Sequence, residues 1–257
     1  MVTRRLPQQP DRFSAGQRRR GQRGGTEVKR NQIIIVLGVV AVLALGAIAY
    51  FSTQTGGGNI LAAATGGGLK VEVKPNDLLL GRPDAPVTIL EFASMTCPHC
   101  AAFAIDVLPE LKREYIDTGK VKLIFREYPL DGAARIASAA ARCFVGEAAF
   151  NFVDLLFHNQ QGPNAWIKDF DGDMQMTQQD IEEGMAVMGR MAGMGRDQII
   201  ACSRDPAKLA AVDANWTEGQ TVYNVQATPT FIINGTLHRG ELTFAALKTA
   251  IDPLLPN

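Results

Sequence analysis

The sequence predicts an α/β fold with a helical insertion, preceded by a single N-terminal transmembrane helix. Three observations carry that prediction. The apolar run Val87-Thr88-Ile89-Leu90-Glu91-Phe92 is followed by helical spacing and then by a second run, Val121-Lys122-Leu123-Ile124-Phe125-Arg126. Strand, helix and strand in that order imply a right-handed crossover and a parallel pair. Residues 131 to about 222 then read as almost wholly helical before strand signals return. Finally, Ile33 to Phe51 is nineteen residues without a charge, just long enough to cross a bilayer as a helix.

The N-terminal elements follow from charge. The formal net charge is zero over 257 residues, yet nine basic groups (Arg4, Arg5, Arg12, Arg18, Arg19, Arg20, Arg23, Lys29, Arg30) stand against Asp11 and Glu27 in the first thirty. A basic head suits either nucleic acid or membrane topology. The uncharged segment behind it favours the second, with residues 1–32 a cytoplasmic tail. Nucleic-acid binding is accordingly not expected. A cleaved signal peptide is the competing reading, since Ala47-Ile48-Ala49 has the small-x-small form of a cleavage site. The length of the basic region and of the apolar run favours a retained anchor over residues 33–51. Residues 52–70 carry two Gly triplets and read as a flexible linker with a reach on the order of 25 Å. On either reading the body of the protein is exported.

The globular part runs over 71–257. Lys70-Val71-Glu72-Val73 reads as a short edge strand. Val87–Phe92, apolar along nearly its whole length, reads as a central strand buried on both faces. Ala101, Ile105, Leu108, Leu111 and Tyr115 follow helical spacing, with Pro109 expected to kink that helix and Gly119 to end it. In the insertion, Ile136, Ala140, Phe144, Val153, Leu156 and Phe157 supply an apolar face, and further helices are expected to begin near Thr177 and Asp197. Thr177 with Asp180 three places on forms a helix-start pattern. Thr230-Phe231-Ile232-Ile233, Asn234-Gly235 and Thr236-Leu237-His238 together read as a hairpin, because Asn-Gly suits a two-residue turn. A final helix is expected from Thr243 to Leu255.

The chemistry centres on Cys97-Pro98-His99-Cys100, placed after the first strand and at the start of a helix. Two thiols at that spacing can close into a disulfide and reopen. Unpaired N–H groups at a helix start favour the thiolate of the first. Pro98 suits the first helical position, where a missing N–H costs nothing, and His99 can bring a second positive charge beside the sulfur. Cys97 is the expected exposed nucleophile, and Cys100, one turn inside, the shielded resolving thiol. Glu91 lies six residues upstream, on a strand predicted to be buried beneath the motif. A carboxyl there would have a raised pKa and could exchange a proton with Cys100; otherwise it is an acid at a strand end.

The strand ending in Glu91-Phe92, the C-x-x-C motif, the helical insertion and Ala227-Thr228-Pro229-Thr230-Phe231 before a hairpin resemble, in that order, the DsbA family. The resemblance covers roughly 71–257 and implies a thioredoxin-like fold acting as a dithiol oxidase of the bacterial cell envelope. It implies a cis bond at Thr228-Pro229, in a loop that faces the cysteines and binds an extended substrate chain. It also implies reduced, unfolded exported proteins as substrates and reoxidation by a DsbB-like quinone-linked membrane partner. DsbA is itself the standard case of a depressed cysteine pKa and an oxidising disulfide. No cofactor and no resident metal are expected, and the chain is expected to act as a monomer at the inner membrane with its catalytic domain in the periplasm.

Cys143 and Cys202 lie 59 residues apart in the insertion. In an oxidising compartment they read as a structural disulfide, with a pair of buried free thiols as the alternative. A zinc site on all four cysteines is disfavoured, because the second pair lacks close ligand spacing. Met185, Met188, Met191 and Met194 recur every third residue and read as core filler rather than a Cu(I) or peptide surface. His158 and His238 read as structural, and Asp169, Asp171 and Asp173 as a solvated turn. Rival functions are a reductase or isomerase on the same fold. Another is a non-enzymatic envelope protein that uses the cysteine pair for metal capture.

Overall fold

The computed structural model of the chain describes residues 68–75, 77–168 and 176–256. The basic head, residues 33–51 and nearly all of the Gly-rich linker fall outside these, as do Asp169, Asp171 and Asp173. Among the described residues no helix is long and apolar enough to cross a membrane.

A five-stranded sheet in the order β1-β3-β2-β4-β5 organises the molecule. Its centre is β2 (Val87–Ala93), parallel to β3 (Val121–Glu127) with Val87 opposite Val121 and Ala93 opposite Glu127. β4 (Thr230–Ile233) flanks β2 antiparallel and turns into the two-residue β5 (Thr236–Leu237). The turn is Asn234-Gly235, both with positive φ (44° and 82°), as a two-residue hairpin requires. His238 lies just past the strand. The edge on the other side is β1 (Leu78–Leu80), antiparallel to β3.

That edge differs from expectation. Residues 70–73 form no strand, because their backbone is taken by other partners. Tyr223 Oη donates to the Lys70 carbonyl at 3.1 Å, and Arg126 Nη2 donates to the Glu72 carbonyl at 2.6 Å. Arg126 is fully buried and also pairs with Asp77 and Glu218. The three leucines that follow make the strand instead, Leu78 and Leu80 turning inward.

Alternation along β2 divides two apolar layers. Ile89 and Ala93 join Phe125, Phe231 and the helices of the main core, while Leu90 and Phe92 pack with Ile124, Tyr128, Tyr223 and Ile232 on the opposite face. Glu91 therefore points into the main core. Behind the cysteine motif, α1 (Pro98–Ala102) runs on through a π-helical turn (Phe103–Val107), α2 (Leu108–Leu111) and a second π-helical turn (Lys112–Ile116). Pro109 explains the irregularity. It has no N–H for an ordinary helical bond, and the chain widens beside it, Leu108 N–H reaching the Phe103 carbonyl.

The insertion comprises α3 (Gly132–Ala141), α4 (Glu147–His158), α5 (Gln178–Met191), α6 (Arg196–Ser203) and α7 (Pro206–Thr221). Side-chain caps set several starts. Asp131 receives the Ala134 N–H at 2.7 Å, Thr177 and Asp180 form a reciprocal capping box, and Asp205 caps α7 ahead of Pro206. Such caps are typically worth about 1 kcal/mol each. The helical reading of 131–222 fails between α4 and α5, where residues 159–168 are irregular. Trp166, fully buried, anchors this connection by donating to the Leu156 carbonyl at 2.9 Å. Gly184 lets α5 pass it, since a Cβ there would sit 2.1 Å from the Trp166 oxygen. Met185 and Met188 are fully buried, whereas Met191 is exposed. Cys143, just past α3, is bonded to Cys202 in α6 with their Cα atoms 6.0 Å apart. The chain closes with α8 (Phe244–Ile251) and a short 3-10 turn (Asp252–Leu254), so the last helix ends earlier than expected, ahead of Pro253.

Candidate active site

β2 delivers the cysteine motif. After Ala93 the chain leaves the sheet through Ser94-Met95-Thr96, and Cys97 takes the position before the first helical residue, with φ −79° and ψ 119°. Pro98 follows at the first helical position. The turn is tied internally and to its surroundings. Cys97 N–H donates to the Ser94 carbonyl at 3.1 Å, and Thr96 Oγ1 donates to Asp131 at 2.7 Å. Ser94 Oγ accepts the Leu130 N–H at 3.3 Å.

Both motif cysteines are reduced and buried. Cys97 is 5% exposed and Cys100 fully enclosed, so the nucleophile is more covered than expected. The cover is the loop at Thr228-Pro229, whose peptide bond is cis. In the protonated form Cys97 Sγ donates to the Thr228 carbonyl at 3.3 Å. Thr228 Oγ1 is buried without a hydrogen-bond partner, so its hydroxyl is free to turn toward the sulfur when the thiolate forms.

The two sulfurs are electrostatically opposite. Cys97 is lowered to about 5, chiefly by the hydrogen bond from the Cys100 thiol. Burial opposes this, while Thr228 and the N–H groups of Cys100 and His99 add to it. The contribution of His99 in this geometry is therefore its backbone; its side chain is exposed. Cys100 moves strongly upward, first from burial, then from donating its proton to Cys97, then from the charge of Glu91. Glu91, 3% exposed, is pushed up to about 8 by burial and secondarily by the Cys97 charge. A cavity of about 20 Å³ adjoins it, walled in part by Phe125, Phe150, Val153, Phe157 and Asp154, which is room for a single water. The arrangement can hold Cys97 as a thiolate at neutral pH, keep Cys100 protonated until it attacks, and offer a carboxyl within electrostatic reach of that proton.

Gln160 is a neighbour that the sequence does not flag. It follows α4 in an Asn-Gln-Gln-Gly stretch with the look of a solvated loop, yet it is 5% exposed. Its Nε2 donates to the Met95 carbonyl at 2.9 Å and to the Cys97 carbonyl at 3.1 Å. No cluster of His, Cys, Asp or Glu suited to a metal ion occurs among the described residues. Cys143 and Cys202, joined to each other, stand apart from this site within the insertion.

A family profile described as Thioredoxin matches residues 73–253. A Bacillus anthracis relative named for disulfide bond formation (protein D) is 32% identical over 180 residues, covering 67% of this chain and 76% of its own. The crystal structure of Wolbachia pipientis alpha-DsbA1 superposes with a TM-score of 0.61 at 28% identity, covering 72% of this chain and 93% of that one. The chain belongs to the DsbA family. A Rickettsia conorii relative is 27% identical over 184 residues, and the match takes in 72% of this chain but only 62% of that protein. Within the DsbA-like domain the elements that bear the resemblance converge on one place. β2 brings Glu91, the start of α1 brings Cys97 and Cys100, and the loop ahead of β4 brings Thr228 and Pro229.

Proposed function

We propose that the chain is a protein dithiol oxidase that introduces disulfides into exported proteins through the Cys97–Cys100 pair. The observation that carries this reading is the placement of Cys97 ahead of α1 and against the cis Thr228-Pro229 loop, where the Cys100 thiol, Thr228 and two backbone N–H groups favour its thiolate. Whatever stabilises the thiolate stabilises the reduced enzyme, and so makes the disulfide a better oxidant. A thiolate of a reduced substrate attacks Cys97 Sγ of the enzyme disulfide, forming a mixed disulfide and releasing Cys100 as thiolate. Glu91, mostly protonated at neutral pH, supplies a proton to Cys100. A second substrate thiolate then attacks the substrate sulfur of the mixed disulfide and expels Cys97 as the stable thiolate. The substrate ends oxidised by two electrons and the enzyme as a dithiol.

The covered Cys97 and the cis-proline loop fit an extended chain lying along Thr228, whose backbone can pair with it. Relatives named for disulfide bond formation support the oxidising direction. By the same family resemblance, reoxidation falls to a DsbB-like membrane partner. Residues 33–51 serve as the anchor that keeps the N-terminus cytoplasmic and the catalytic domain in the periplasm, with the DsbA-like domain acting as a monomer.

The test is the equilibrium reduction potential of the Cys97/Cys100 pair against glutathione. A potential well above the glutathione pool is the expected result. One near that of thioredoxin would reverse the electron flow and make the protein a reductase.

A further inference from the structure

We infer that Gln160 is a positioning residue for the nucleophile, setting the acidity of Cys97 from the helical insertion. The inference rests on the dithiol reading of Cys97 and Cys100, but not on the direction in which electrons flow.

One side-chain amide donates to two carbonyls of the cysteine turn, those of Met95 and Cys97. These bonds come from 65 and 63 residues away in sequence, so nothing in the local turn chemistry of Ser94–Cys97 provides them. The amide is buried, where a hydrogen bond is strong and an unmade one costly. The Cys97 carbonyl also receives the Ala101 N–H at 3.2 Å, the first bond of α1. Gln160 thus grips the same oxygen that locks Cys97 into the position ahead of the helix. Only from that position do the N–H groups of His99 and Cys100 reach its sulfur. Without Gln160 the Met95 carbonyl loses its buried donor, the turn relaxes to find another, and the N–H groups drift from Sγ. The thiolate then loses stabilisation and Cys97 becomes less acidic.

A merely structural role would predict something different. Gln160 would satisfy a buried carbonyl, its loss would lower the melting temperature, and the sulfur would be untouched. The experiment separates the two. In the full-length chain, Gln160→Met keeps the bulk and removes both donors, while Gln160→Asn stays neutral and keeps the amide but is one methylene too short to reach both carbonyls. The asparagine variant supplies the answer should the methionine variant not fold. The pH dependence of Cys97 alkylation, located by peptide mass, gives its pKa, and equilibration with glutathione gives the potential. The expected result is a Cys97 pKa raised by about one unit in either variant. The disulfide should then be about tenfold less oxidising, which is about 30 mV for this two-electron couple. An unchanged pKa and potential alongside a lowered melting temperature would overturn the inference. An ordinary thiol pKa in the unmodified chain would instead overturn the dithiol reading itself.

Discussion

The two cysteine pairs of this chain carry the same atoms and have opposite characters. Cys97 and Cys100 sit three residues apart where β2 passes into α1, reduced, with one sulfur acidified and the other held protonated. Cys143 and Cys202 sit 59 residues apart between α3 and α6, already bonded. The difference lies in what faces each sulfur. Backbone N–H groups, Thr228 and a neighbouring thiol surround Cys97, whereas the second pair ties the turn after α3 to α6. Reactivity here is a property of the surroundings, and a disulfide becomes a tool only where one of its thiolates has somewhere to rest.

The largest effect that would sharpen this contrast is loss of the nucleophile. Cys97→Ser should abolish disulfide transfer and trap no mixed disulfide, whereas Cys100→Ser should accumulate a mixed disulfide at Cys97. Accumulation at Cys100 instead would exchange the two roles. Next in size, replacing Cys143 and Cys202 by alanine together should cost about 2–4 kcal/mol. That corresponds to a melting temperature lower by roughly 5–15 °C. The Cys97 pKa and the potential should stay as they are; a shifted potential would show that the two pairs are coupled.

A smaller effect is written in pH. The folded-state pKa of Cys97 is lowered to about 5, so its thiolate contributes stability above the ordinary thiol pKa, and that contribution fades as pH falls through about 5. Only the reduced protein has it. Reduced chain should therefore melt above oxidised chain at pH 7, and the gap should close by about pH 4. Equal melting of the two redox forms at pH 7 would contradict the assigned acidity.

Glu91 has the reverse sign. Its folded pKa is raised to about 8 by burial; its favourable contribution is complete below the ordinary carboxylate value and is lost as pH rises toward 8. In the oxidised protein, Glu91→Gln should thus stabilise the fold at pH 7 by about 1–2 kcal/mol, with little difference at pH 4. The same variant should slow the attack of Cys100 on a mixed disulfide. A variant that resolves mixed disulfides at the original rate would leave Glu91 without a part in proton transfer.

What could be read from sequence follows from how local the information is. β2, β3, the Asn-Gly hairpin and the Thr177–Asp180 cap each depend on residues within a few positions, and each lies where the pattern put it. Glu91 was legible because a lone acid in an apolar run marks a buried carboxyl. The edge strand was misplaced because Arg126, far along the chain, competes for the backbone of residues 70–73. Gln160 left no trace because its partners are carbonyls, which every residue has. The Thr228-Pro229 loop facing Cys97 is legible only through the family resemblance, and how far Cys97 is buried is not, since Thr228 lies 131 residues downstream. The interior of the helical insertion shows the same limit, since the break around Trp166 is set by packing against α5.

The hairpin turn at Asn234-Gly235 has a mechanical meaning as well. The Asn234 N–H reaches the Thr88 carbonyl, at the beginning of β2, and the Gly235 carbonyl takes the Leu69 N–H at 2.7 Å. A Cβ on Gly235 would strike the Leu69 backbone at 2.3 Å, so this is where the described chain enters the domain. The cysteine motif leaves from the other end of the same strand, about 17 Å away at the usual rise of a strand. A change at this turn therefore acts on the beginning of β2, the pole opposite the sulfurs, and leaves the motif-bearing end of the strand to its own contacts.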